Sequence, residues 1–157
     1  MRRKAERGQK SGAAERSVIS ELTRCCMWEF ASVSEYVYYS LLLEEEYLEL
    51  SEIFERAALG CIEHFRVLGG VILALGADPA FNMQIRQSRE RWGLRGEPSV
   101  EHIEQMISSA AERERRSVAV LSRLSGHCGE CETVRAVGCV ISEKKELLAI
   151  LERMLMS

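Results

Sequence analysis

The chain has 157 residues, 46% of them hydrophobic, a net charge of −3 and only two prolines. One domain with a substantial core is the expectation at this length, and extended disorder is excluded away from the ends. No uninterrupted apolar run reaches the roughly 18 to 20 residues of a membrane span, and no apolar segment follows the basic N-terminus as in a secretory signal, so a cytoplasmic protein without a membrane partner is expected.

Charge is distributed unevenly. Residues 1–16 carry six Lys/Arg against two Glu, a net of +4, which leaves −7 on the remainder. Residues 1–15 read as a disordered basic tail ahead of a domain over 16–157, a solubilising end with no nucleic-acid partner expected. The other Lys and Arg residues read as outer-face residues of the helices.

Helical periodicity dominates from Ser17 to the C-terminus. The first helix is predicted from Ser17 to Glu46, with an inward stripe of Leu22, Cys25/Cys26, Glu29, Val33 and Tyr36/Val37. The second runs from Leu48 to Leu75 and carries Phe54, Ala57/Ala58, Cys61, His64/Phe65, Leu68 and Ile72. Gly76 ends it and Pro79 prevents a restart. Residues 77–98 lack periodicity and read as a long crossover, with Phe81 and Trp92 as candidate anchors. The third helix starts at the N-cap Ser99 and stops near Gly126, with Ile103, Ile107, Ala110/Ala111, Glu114, Val118 and Leu121 inward. After the turn Ser-Gly-His-Cys-Gly-Glu-Cys, the fourth is predicted over Glu132–Leu155, with Ala136, Cys139/Val140, Glu143, Leu147, Ile150 and Met154 inward. Two helices, a crossover and two more helices predict an all-α, antiparallel four-helix bundle with the crossover between helices two and three.

Glu29, Glu114, Glu143 and Glu146 thus sit on apolar stripes, and helix two adds a Cys61-x-x-His64 pair one turn apart. Residues at i and i+3 share a helix face. Buried carboxylates without partners cost several kcal/mol each, so a set of them calls for a cation. The pattern makes Glu29, Cys61, His64, Glu114, Glu143 and Glu146 candidate ligands of a metal ion. The bland alternative is a bundle that has lost its metal and neutralises these groups with Arg or protons. Cys128-x-x-Cys131 beside His127 has the spacing of a zinc half-site or a dithiol, without a second such pair to close it. A Gly-x-Ser-x-Gly nucleophile motif and a phosphate-cradling glycine loop are both absent.

The stretch Trp28–Tyr47, WEFASVSEYVYYSLLLEEEY, followed by CIEHFRVLGGVILALGADP over 61–79, resembles the first helix pair of ferritin-like proteins. It is most similar to the manganese-catalase-like and spore-coat ferritin-like group. The resemblance covers residues 17–155 and is strongest over 28–80. It implies metal ligation by Glu29, His64, Glu114 and Glu143, an Fe or Mn carboxylate centre, oxidoreductase activity on peroxide or oxygen, and a homo-oligomer with Tyr39, Leu41 and Leu42 as candidate interface residues. It also implies that Tyr36 and Tyr38 lie near the site. Two positions depart from the group's pattern. Cys61 stands where it has a bridging Glu, and Glu146 stands where it has a His. The altered first position, Glu29, Cys61, His64 and Glu143, suits Zn²⁺ or Fe²⁺. The second, Glu114, Glu143 and Glu146, suits Mn²⁺, Mg²⁺ or Ca²⁺. Two functions are therefore expected: an atypical metal-binding protein, and a non-catalytic bundle with a structural or interaction role.

Overall fold

The computed structural model describes residues 2–79, 98–128 and 131–156. Four helices account for nearly all of them: α1 (Arg2–Leu43), α2 (Leu48–Ala74), α3 (Val100–Ser125) and α4 (Cys131–Met156). Helical geometry in α1 extends back to Arg2, through the segment expected as a tail. That segment is dominated by Arg, Lys, Ala and Glu and lacks proline, so helix propensity favours continuation despite Gly8 and Gly12. The expected anchors Phe81 and Trp92 lie outside the described residues.

Local signals set the other ends. The Ser99 hydroxyl accepts from the His102 backbone N–H and caps α3. Gly76 follows α2 at a φ of +77°, the left-handed conformation that a glycine adopts at least cost. Ser51 donates to the Ser40 carbonyl at 2.8 Å and ties the start of α2 to the end of α1.

α1 packs most extensively on α2, and α3 on α4; contacts of α2 with α4 and α1 with α3 close the bundle. The diagonal pairs are therefore α1 with α4 and α2 with α3. Two apolar clusters fix the directions. One joins Tyr36, Tyr39 and Leu43 late in α1 to Leu50, Phe54, Ile103, Met106 and, late in α4, Leu151. The other joins Leu22, Cys25 and Cys26 to Leu68, Ile72, Leu121, Leu124, Val137 and Val140. α2 and α3 thus run the same way, so the end of α2 and the start of α3 lie at opposite ends of a bundle about 40 Å long at 1.5 Å per residue.

The aromatic end of the core is built on Phe54, whose ring centroid lies 5.7 Å from Tyr36 and 5.1 Å from Tyr39. Tyr39, expected at an interface, is a core residue; Leu42 packs against the same core, and Leu41 alone of the three is exposed. α2 is long and apolar enough, by composition, to cross a membrane. In this fold it is a bundle helix with Phe54, Cys61, His64, Leu68 and Ile72 buried, and part of its apolarity lies outward at Leu48, Leu59, Ile62 and Leu73.

Candidate metal centre

Between the two apolar clusters the core turns polar. Glu29 on α1 and Glu114 on α3 are each 1% exposed, and His64 on α2 and Lys144 on α4 are buried with them. The stripes predict the inward orientation of Glu29, Cys61, His64 and Glu114. They do not predict Lys144, which the sequence places on the outer face.

Lys144 is the pivot. Its ammonium lies 2.7 Å from Glu29 Oε1 and 2.9 Å from Glu114 Oε2, reaching across the diagonal of the bundle to do so. The Tyr36 hydroxyl donates to Glu114 Oε1 at 2.6 Å, so both oxygens of Glu114 are engaged. Glu29 Oε1 also accepts from Ser117, and Glu29 Oε2 lies 3.3 Å from His64 Nδ1. On the opposite edge of the imidazole, Nε2 lies 2.9 Å from Glu143 Oε2. Among the described residues no buried side-chain nitrogen or oxygen lacks a partner.

On α4 the inward pair is Lys144-x-x-Leu147, one residue beyond the Glu143-x-x-Glu146 pair that the sequence suggests. Glu143 has a side chain 59% exposed and touches the centre only through His64. Glu146 is exposed on the rim of a cleft of about 280 Å³ that is also lined by Cys61, His64 and Glu114. The expectation that Glu143 and Glu146 face the interior therefore does not hold. The buried positions Val137, Val140, Lys144 and Leu151 follow a 3-4-7 spacing, and reading that period through the lysine would have found it.

The electrostatics follow from the contacts. Burial pushes the Glu29 carboxyl up, but bonds from His64 and Lys144 outweigh burial and hold it below its ordinary range. Burial pushes His64 down, but its bond and charge attraction to Glu29, joined by its bond to Glu143, together outweigh burial and the nearby Lys144 and raise it. Burial opposes charge on Lys144, and Glu114 and Glu29 overcome it, so the ammonium persists. Burial, and then Glu29, push the Cys61 thiol far up, so it is a neutral thiol unless a metal replaces its proton.

One group of donors is placed to share an ion. Glu29, Cys61 and His64 each offer a ligand atom within 4.8 Å of the other two. The 3.3 Å between Glu29 Oε2 and His64 Nδ1 matches the edge of a tetrahedron with metal–ligand bonds of about 2.0–2.1 Å. Cys128 is buried, with its thiol directed to the Leu124 carbonyl, while Cys131 is exposed; both are free thiols. Tyr36 lies in the centre and Tyr38 is exposed.

Comparison of the sequence with family models gives no match, and comparison with curated proteins gives none. The fold does match solved structures. Desulfovibrio desulfuricans bacterioferritin, solved with its diiron site in different catalytic states, superposes with a TM-score of 0.70 at 18% identity, over 93% of this chain and 82% of that one. Rhodobacter capsulatus bacterioferritin, described with a metal-free dinuclear site and haem iron, gives a TM-score of 0.70 at 16% identity, over 90% and 84%. The chain therefore has the ferritin-like four-helix fold.

That fold suggests a two-ion carboxylate centre, and this donor set does not fit one. Such a centre takes a Glu from each of two helices and a Glu-x-x-His from each of the others. Here α2 supplies Cys61-x-x-His64 and α4 supplies Lys144-x-x-Leu147. A single ion at Glu29, Cys61 and His64 does fit.

Two outcomes test this geometry. Glu114→Ala leaves the buried Lys144 with one counter-ion and Tyr36 without its acceptor, and should cost about 3–5 kcal/mol in urea unfolding, against less than about 0.5 for exposed Glu146→Ala. A Glu114→Ala protein as stable as the parent would contradict the network. The second outcome is a pH profile. Glu29, with its carboxyl lowered, contributes stability above pH 4.5 that is lost as pH falls through its lower folded value. His64, raised, contributes fully below pH 6.5 and loses that contribution as pH rises through its higher folded value. The pair's contribution in metal-free protein is therefore greatest between these limits. Thermal melts from about pH 4 to 9 in chelator should show an alkaline decline that His64→Gln removes, and an unchanged decline in the variant would refute the assignment.

Proposed function

We propose that this protein is a ferritin-like metal-binding protein that holds one transition-metal ion at Glu29, Cys61 and His64. The observation that carries the reading is the convergence of a carboxylate oxygen, a thiol and an imidazole nitrogen within 4.8 Å. That mix of soft, borderline and hard donors suits Zn²⁺ or Fe²⁺ better than Mn²⁺. Glu143 supports rather than ligates: it accepts from His64 Nε2, an outer carboxylate of the kind that fixes a ligating histidine's tautomer and orientation. Charge balance agrees. A divalent ion, the Cys61 thiolate, the Glu29 and Glu114 carboxylates and the Lys144 ammonium sum to zero. Glu29 on α1 with Cys61 and His64 on α2 would hold the ion, which would cross-link the two helices and would supply a Lewis-acidic centre beside the cleft. Peroxide or oxygen chemistry at paired ions, and direct ligation by Glu114 and Glu146, are not part of the reading, because Lys144 lies between the carboxylates such chemistry would use.

Self-association belongs to the same proposal. Phe30, Val37, Tyr38 and Leu41 on α1, with Leu59, Ile62 and Leu73 on α2, form outward apolar stripes on neighbouring helices, as the face of a homo-oligomer would.

A second reading, a bundle whose metal centre has been retired to a structural role, is favoured by one observation: the buried polar atoms of the described residues are all partnered without an ion. Elemental analysis separates the two. Protein purified without chelator should carry about one Zn or Fe per chain, falling below about 0.2 in Cys61→Ser/His64→Ala. Metal below about 0.2 per chain in the parent, unchanged after reconstitution with Zn²⁺ or Fe²⁺, would establish the second reading instead.

A further inference from the structure

We propose that Lys144 is a tethered substitute for a second metal cation, and that it sets the number of ions this bundle can hold. The inference starts from the one-ion reading above but rests on different atoms. Glu29 and Glu114 come from neighbouring helices on one side of the core, and the Lys144 ammonium bridges them at 2.7 and 2.9 Å. A cation bridging a carboxylate from each of two helices is what a second metal would be. The ammonium supplies a positive charge without open coordination positions or redox states.

Three further observations tie the ammonium to that place. Glu114 Oε1 is taken by the Tyr36 hydroxyl, so Glu114 has no oxygen left for an ion. Lys144 is 2% exposed and α4 carries it on the inward register, so its position is built by the fold and is not a surface chain folded back. Leu147, one turn further on, lines the same cleft and packs against the apolar core, where a two-ion centre would need an imidazole. The edge formed by Glu29 Oε2, His64 Nδ1 and Cys61 is the part of the centre that Lys144 leaves open. The substitution makes folding independent of metal loading, because the two buried carboxylates share a permanent counter-ion.

The experiment compares metal stoichiometry in the parent and in Lys144→Glu/Leu147→His, which restores a carboxylate and an imidazole at i and i+3 on α4. Each protein is equilibrated anaerobically with Zn²⁺, Fe²⁺ or Mn²⁺, desalted and analysed for metal per chain, with thermal melts run in parallel. The double variant should bind one ion more per chain than the parent. It should melt below the parent in EDTA and recover on adding metal. A folded double variant that binds no more than the parent would overturn the inference, as would a parent that already takes two ions. A parent that binds none beside a double variant that binds one would sink the one-ion reading and sustain the role of Lys144. Lys144→Met covers the case in which the double variant does not fold. With its two carboxylates stripped of their shared ammonium, it should melt about 10 °C below the parent in EDTA and regain most of that with millimolar Mn²⁺ or Zn²⁺. Parent-like melting of Lys144→Met in EDTA would overturn the inference as well.

Discussion

One ammonium group, on Lys144, lies between two carboxylates in the middle of a helical bundle, and the rest of the centre is arranged around that contact. Glu29 and Glu114 are almost wholly buried, on helices whose cores on either side of this level are apolar. Without a cation the two would either repel or bind protons, and either outcome loosens the bundle where all four helices meet. The tether to α4 resolves this within the chain. It also connects the diagonal helices α1 and α4, which make no direct backbone approach among the described residues. The cost is desolvation of a lysine, offset only because two carboxylates engage it at short range.

From that contact the polar groups extend in both directions. On one side Glu114 accepts from Tyr36, whose ring packs on Phe54, so the ionic centre and the aromatic core are one continuous structure. The Arg113 guanidinium sits 5.9 Å from the centre of the same ring and pairs with Glu35, carrying the network towards the surface. On the other side Glu29 meets His64, and His64 meets Glu143 at the cleft. Cys61 and His64 line that cleft, and Glu29 behind them is held by Lys144.

The helical architecture was legible because its signals are local. Ser99 caps, Gly76 stops, and apolar residues recur at helical spacing from Leu22 onward. Glu29, Cys61, His64 and Glu114 were also legible, since each stands on its stripe among residues whose burial is unmistakable. Helix α4 was not. A lysine in a stripe reads as a surface residue, because lysine is rarely buried without a pair, and the two acids that flank the Lys144–Lys145 pair present a carboxylate pattern one residue out of register. One position of rotation on a helix is about 100°, enough to carry Glu143 from the core to the cleft. The local trace of the rotation is the 3-4-7 spacing of Val137, Val140, Lys144 and Leu151, which is read only if a lysine is allowed inward; the reason it is inward is its pairing with Glu29 and Glu114, which are distant along the chain and adjacent in the core. Tyr39 failed for a related reason: in a run of aromatic and apolar residues, which one turns inward depends on the neighbouring helix.

The most direct test is a crystal structure of protein soaked in Zn²⁺, with anomalous scattering used to locate the ion. One anomalous peak per chain is expected, bounded by Glu29, Cys61 and His64, with the Lys144 side chain still lying between Glu29 and Glu114. Two peaks in the core, with Lys144 displaced towards solvent, would contradict it.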